Sequence, residues 1–586
     1  MSPLLLAVLF IISTAMMASS HPHPLDPLSA AELTAVRAAV LSSPLVPARP
    51  LYFHYVGLDE PDKLDVLSYA YGTATTSSSH VLPRRALVIA RAGAQSHEFL
   101  VDITNISAPS VLSHAIHHGP GFPMFTPEEQ IAAMALPPKY PPFVESVRNR
   151  GLTVGDVACG VLSRGWFGSS EPTYGGGRVA KMLCVVTGDG ETANFYARPL
   201  EGVTLVVNLD QMAIVGYKDR VVYPVPKAEG TDYRADKVGP PFTGPATPAP
   251  GMVVQPEGRG FHIAGHTVRW ANWEFHVGFD MRAGMVISLA SIHDADKGGK
   301  RRRVLYRSFV SEIVVPYMDP DEEWYFRTFI DAGDFGLGES ASPLQRGADC
   351  PANAAYFDGY YADADGKPVK AEDVICLFER YAGDIAWRHT EAALKITEVR
   401  PEVTLVVRMV VTVGNYDYIL DWEFKTSGSI KFVVSLTGIL EMRATSYTDA
   451  DQINEDAHGT LLAENTVGVF HDHFVTYHLD LDVDGTNNSF VKNTIIPKRN
   501  TGHPSTGGAD TPRKSYWTVR RDVAETEEDG QVDVNGAPAD LLFVNPSKKT
   551  KVGYHAGYRL VPAGATAASL LADDDYPQRR ASYTKR

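Results

Sequence analysis

A tyrosine ring becomes an oxidant only when a redox metal and oxygen stand beside it. The tetrad Asn415-Tyr416-Asp417-Tyr418 lies upstream of His471-Asp472-His473. Unmodified, a tyrosine has a pKa near about 10 and no redox role at neutral pH. Residues two apart on a strand share a face, so His471 and His473 can converge on one ion. Imidazole nitrogens suit copper and zinc. Asp331-Ala332-Gly333 follows Tyr317 and Trp324. The apolar residues Phe326, Phe329 and Ile330 precede Asp331, and on its own that aspartate, two residues before Gly333, reads as a turn or cap residue. Asp480-Leu481-Asp482 offers two carboxylates on one strand face with a carbonyl between them, three hard oxygens that in isolation read as a solvated strand edge.

The elements that must position these groups read as β-structure. Val403, Leu405, Val407, Met409, Val411 and Val413 alternate with their neighbours at strand period. Ser427-Gly428-Ser429 is a hairpin turn between Tyr418–Phe424 and Ile430–Leu436. Residues 252–586 therefore form a large antiparallel β-sandwich. Two small α+β domains precede it, over 28–115 and 119–226. The first carries a helix over Ala30–Ser42, and the second opens a helix at Thr126-Pro127. The Pro- and Gly-rich stretch 227–251 reads as a linker.

Composition sets limits. A chain of 586 residues exceeds one simple core. The net charge of -15 excludes nucleic acid as the main partner and suits a cationic substrate. The basic run Lys297 to Arg303 reads as a solvated loop. Residues 1–20, with an apolar run from Leu4 to Ile12 and small residues Ala18-Ser19-Ser20, read as a signal peptide, making the protein secreted and extracellular. No later segment reaches membrane-spanning length. Four cysteines, Cys159, Cys184, Cys350 and Cys376, allow three connectivities. Asn105-Ile106-Ser107 and Asn487-Asn488-Ser489 are glycosylation sequons.

The run from Val406 to Tyr418, ending in Asn-Tyr-Asp-Tyr, resembles the topaquinone signature of the copper amine oxidases. The resemblance extends along most of the chain and is to the plant-type diamine oxidases, placing the protein in the apoplast or cell wall. It implies two α+β domains, a dimerising β-sandwich, copper(II) as cofactor and Tyr416 as the topaquinone precursor. Further roles follow from it: Asn415 beside the cofactor, Tyr317 hydrogen-bonded to the quinone oxygen, Asp331 as catalytic base, Phe329 as channel gate, and His471 and His473 as copper ligands. Asp480, Leu481 and Asp482 match half of a secondary calcium or manganese site. The implied reaction converts a primary amine, oxygen and water into an aldehyde, ammonia and hydrogen peroxide, with putrescine, cadaverine or spermidine-like amines as substrates.

The family holds copper with three histidines, the third in a downstream Thr-X-Gly-X-X-His segment that is absent here. His503 and His555 are the remaining candidates, each without the matching context. The expectation is a C-terminally truncated amine oxidase with weak copper binding. The alternative is an impaired secreted homologue, retained for dimerisation or amine binding.

Overall fold

The computed structural model describes residues 22–46, 50–72, 82–119, 121–163, 174, 177–188, 193–239, 254–294, 299–500, 513–532, 539–562, 571, 572, 574 and 575. The signal-peptide reading, residues 240–251 of the linker and His503 lie outside them.

The first unit contains α1 (Ala30–Ser42), β1 (Tyr52–Asp59), α2 (Lys63–Tyr71), β2 (Arg85–Ala92), β3 (Gln95–Asp102) and β4 (Ser110–Ile116). The strands form an antiparallel sheet in chain order. Ser29 caps α1 through a reciprocal box with Glu32, which supplies acceptors to orphan helix N–H groups. Glu32 also pairs with Arg84 at the start of β2, tying helix to sheet.

The second unit holds α3 (Pro127–Met134), α4 (Pro141–Asn149), β5 (Val157–Ser163), β6 (Val179–Val186), β7 (Val203–Asn208) and β8 (Ala213–Asp219), the strands again paired in order. Thr126 and Glu129 form the capping box of α3, with Pro127 in its first turn. Cys159 and Cys184 sit opposite each other on β5 and β6 and are bonded. The other disulfide joins Cys350 to Cys376.

The third unit is β-structure. One sheet contains β9 (Phe261–Ala264), β10 (Thr267–Trp270), β11 (Trp273–Asp280), β12 (Gly284–Asp294), β13 (Lys300–Pro316) and β14 (Thr328–Ile330). The facing sheet contains β15 (Ala355–Ala362), β16 (Pro368–Arg380), β19 (Thr404–Val413), β20 (Tyr416–Lys425) and β21 (Ile430–Gly438). Between them in sequence, β17 (Ile385–Glu391) and β18 (Ile396–Pro401) form a separate hairpin. Alternation along β19 works as its pattern predicts: Leu405, Val407, Met409, Val411 and Val413 enter the core between the sheets, while Val406 packs with Cys350 and Cys376 on the other face. Phe275 and Phe424 stack across the sheets at 4.0 Å. Trp422 donates its indole N–H to Ser308 Oγ at 3.0 Å, so this buried aromatic keeps its polar atom satisfied.

A small sheet of β22 (Met442–Ala444), β23 (Gly459–Ala463) and β24 (Thr466–Val469) delivers the chain to His471. Then β25 (Phe474–Leu481) pairs with β13. The last sheet is β26 (Ser489–Arg499), β27 (Ser515–Val523), β28 (Ala539–Lys549) and β29 (His555–Leu560).

The basic run departs from its loop reading. Arg301, Arg302 and Arg303 lie on β13 and pair with Glu274 at 2.7 Å, Asp484 at 2.7 Å and Asp482 at 3.4 Å. Their charges are neutralised by partners distant in sequence, which spacing alone does not reveal.

Candidate active site

The site begins at a two-residue turn. Gly414 and Asn415 join β19 to β20, with Val413 facing Tyr416 across the hairpin. Gly414 has φ 60°, a conformation costly for residues with a Cβ and required at the first position of this tight turn. Asn415 donates its side-chain N–H to Ile439 O at 2.7 Å, locking the turn to the chain leaving β21. The strand period then puts Tyr416 and Tyr418 on one face. Asp417 points away, accepting from Thr412 Oγ1 at 2.6 Å, a bond that accounts for the threonine four residues ahead of Tyr416.

His471 forms a backbone bridge with Tyr317 at the end of β13, and His473 immediately precedes β25. His471 Nδ1 donates to Val469 O at 2.9 Å. This fixes the tautomer and leaves Nε2 as a lone pair, which accepts the Tyr416 hydroxyl at 2.7 Å. Tyr317 donates to the Tyr416 oxygen at 3.2 Å and stacks on His471 with centroids 4.6 Å apart. The His473 ring meets Tyr416 edge-on at 4.7 Å. Burial, then the neighbouring His471, lowers the His473 pKa to about 4, keeping it in the neutral form that ligates metals. His478 stacks on Phe309 away from this cluster.

Asp331 starts a helical turn, Asp331–Asp334, after β14. It is 2 % exposed. Burial raises its pKa to about 8, with Glu312 and Asp334 pushing the same way and a hydrogen bond from Tyr418 opposing. Its Oδ2 is buried without a hydrogen-bond partner, free to take a proton. Tyr418 also lies 3.1 Å from His473 Nδ1, so a chain runs Asp331–Tyr418–His473. With one proton on Tyr418 the chain has two polarities. A protonated Asp331 sends hydrogen bonds toward His473, and an ionised Asp331 draws them toward itself.

These groups line one cavity of about 340 Å³, shared by Tyr317, Phe329, Asp331, Asn415, Tyr416 and Tyr418. Two further carboxyls line it that spacing had not singled out, Glu339 and Glu441. Glu441 is 3 % exposed, pairs with Arg327 and lies beside His471. Its sequence signal is slight, a lone charge after the apolar Ile439-Leu440.

The donor set fits copper on two sides: two imidazoles, that of His473 held neutral and that of His471 with its Nε2 aimed at the oxygen of the half-buried Tyr416. Among the described residues no third imidazole joins them. His555 lies on β29, in the last sheet. The Asp480 and Asp482 pair is built differently from an open cation site. Lys63 of α2 places its ammonium 2.6 Å from Asp480 Oδ1 and 2.9 Å from Asp482 Oδ1, the second approach lying off the hydrogen-bond angle. Arg303 approaches Asp482 from the other side at 3.4 Å. With both carboxylates already neutralised, calcium or manganese does not fit this arrangement.

The architecture is two small α+β units ahead of a large β-sandwich whose cavity gathers tyrosines and a buried carboxyl, and comparison with known sequences gives the class. The copper amine oxidase enzyme domain matches residues 262–586, with the N2 and N3 domains of the same family matching 23–113 and 128–236. The chain belongs to the copper amine oxidase family, whose members act on primary amines with oxygen and whose cofactors are copper and topaquinone. It is 48% identical to the peroxisomal copper-containing amine oxidase alpha 2 of Arabidopsis thaliana over 98% of this chain and 84% of that one. It is 46% identical to the primary amine oxidase of Pisum sativum over 96% of this chain and 80% of that one. The copper-containing benzylamine oxidase of Hansenula polymorpha shares the fold with TM-score 0.82 at 22% identity, over 96% of this chain and 86% of that structure. No helix among the described residues is long and apolar enough to cross a membrane.

Proposed function

We propose that this chain deaminates primary amines oxidatively, preferring di- and polyamines, with Tyr416 as topaquinone precursor and His471 and His473 as copper ligands. The observation that carries this reading is the 2.7 Å contact between the Tyr416 hydroxyl and His471 Nε2, in a cavity shared with the buried carboxyl of Asp331. Bound copper supplies redox chemistry with oxygen, and topaquinone supplies an electrophilic carbonyl. The chain's own residues do the rest. Asp331 Oδ2 takes the proton from the substrate carbon that bears nitrogen. Tyr317 holds the oxygen of residue 416 in place, while Tyr418 orients the Asp331 carboxyl. Phe329, edge-on to Tyr317 at 5.9 Å, narrows the approach and excludes water. A calcium or manganese ion enters this reading only by displacing Lys63 from Asp480 and Asp482.

The test is Tyr416→Phe. Metal-free protein given copper and oxygen should gain a label from a quinone-directed hydrazine on the peptide carrying residue 416, and should release peroxide from an amine. The variant should do neither, and peroxide release by the variant overturns the assignment.

A second reading, an impaired homologue kept for dimerisation or amine binding, draws on the pair of imidazoles alone around Tyr416 among the described residues. The same experiment on the unmodified chain separates them, since absence of label after copper and oxygen favours the homologue. The exposed β17–β18 hairpin supports a homodimer. Secretion rests on the apolar N-terminal run, and a relative named as peroxisomal supplies the competing address.

A further inference from the structure

Glu339 has no part in the chemistry described above, yet it shares the wall of that cavity with Asp331 and Tyr416. Both of its carboxyl oxygens are shielded from solvent and neither has a hydrogen-bond partner. Two orphaned oxygens on one acid are costly, because each is withdrawn from water without a hydrogen bond to replace it. The charges acting on it are of its own sign, from Glu128 and Glu129 at the start of α3. Burial first, then those two carboxylates, pushes its pKa to about 8. Glu129 is itself committed to Arg178 and to the cap of α3. No cation answers Glu339 among the described residues.

The backbone that carries it is rigid. Glu339 N–H donates to Met281 O at 3.0 Å, Ser340 N–H to Gly336 O at 3.0 Å, and Thr412 N–H to Ser340 O at 3.0 Å. The next bridge pairs Ala341 with Val411 on β19, five residues ahead of Tyr416. A Cβ on Gly338 would lie 2.1 Å from Asp280 O, so the chain approaches β11 as closely as glycine permits. The segment is thus fastened to β19, which the Gly414-Asn415 turn joins to Tyr416, and its carboxyl is held at a fixed offset within the same cavity.

A cavity that takes a primary amine at one end and keeps an unanswered buried carboxyl in its wall suits a ligand with two positive charges. We propose that Glu339 is the subsite for the distal ammonium of an α,ω-diamine or polyamine whose other amine is presented to residue 416. This rests on the amine-oxidising reading above and adds to it the residue that selects dications. The incoming ammonium supplies the missing hydrogen-bond donors and the missing countercharge, and draws Glu339 into its ionised form. A monoamine of equal length supplies neither, and leaves the carboxyl buried and unanswered.

The experiment compares the full-length, copper-loaded chain with Glu339→Gln and Glu339→Asp. Steady-state rates are measured on α,ω-diamines of increasing length and on n-alkylamines of matching length. Glu339→Gln should lower the diamine-to-monoamine ratio of kcat/KM about tenfold or more, mostly through KM. Glu339→Asp should keep the discrimination but move the optimum to a longer diamine, which a merely structural role would not do. In a Tyr416→Phe background, where no turnover is expected, calorimetric titration with 1,4-diaminobutane should show binding that Glu339→Gln removes. An unchanged diamine-to-monoamine ratio in an active enzyme overturns the subsite while leaving the oxidase reading intact. Loss of binding on Glu339→Gln, together with no quinone in the Tyr416-bearing chain after copper and oxygen, keeps the subsite and sinks the oxidase reading. Unchanged binding in the Tyr416→Phe background overturns the subsite.

Discussion

Asp331 shows how burial, more than any neighbour, can set the chemistry of one side chain. Its pKa of about 8 in the folded protein stands against 3.8 for an exposed aspartate. The charged form is therefore disfavoured by folding. The contribution to stability is fully present below about pH 4 and is lost as pH rises through about 8. Asp331→Asn removes that penalty, so the variant should unfold at higher temperature than the wild type above pH 8, with the difference vanishing near pH 4. It should also lose turnover, because an amide takes no proton. A thermal scan across pH together with peroxide release checks both parts, and a destabilised, active variant would sink the assignment. In the wild type the same pKa predicts kcat/KM rising with pH as Asp331 ionises.

At the level of elements, contact between distant segments decides what spacing cannot. The Asp480-Leu481-Asp482 spacing correctly puts two carboxylates together, but their occupant comes from α2, more than four hundred residues earlier. Lys63→Met should leave the 2 % exposed Asp482 short of a partner and cost about 1–3 kcal/mol. Added calcium or manganese should restore that variant's melting temperature and leave the wild type unmoved. A wild type that responds as strongly as the variant would refute the lysine clamp.

The tyrosine and the two histidines were legible because the strand period of two and a turn-forming glycine are local rules. The Asp331–Tyr418–His473 chain was not, since it joins three segments that only the sandwich brings together. Glu339 was invisible for the same reason: its meaning lies in what fails to surround it. The arginines of β13 misled because a charge run looks solvated until its partners are placed.

Across the whole molecule, buried polar bonds join the second unit to the catalytic one. Glu201 accepts the Trp324 indole at 2.7 Å and the Ala444 N–H at 2.9 Å, while Glu323 accepts Gly202 N–H at 2.6 Å. Elsewhere the surface is left open. The β17–β18 hairpin pairs with no other strand among the described residues and exposes Ile385, Trp387, Ile396 and Val399, an apolar patch of the kind that marks a protein interface. Replacing Ile385 and Trp387 with serine should shift a sedimenting dimer toward monomer without changing its melting curve at low concentration. A dimer that persists unweakened would place the interface elsewhere.

The cavity draws its walls from both units, with Pro127, Gln130, Met134 and Val161 from the second and Tyr416 from the third. Entry and reaction are thus written in separate stretches of the gene, which mutate independently. Substitutions in α3 and β5 therefore reshape what reaches Tyr416 without altering the hairpin that carries it.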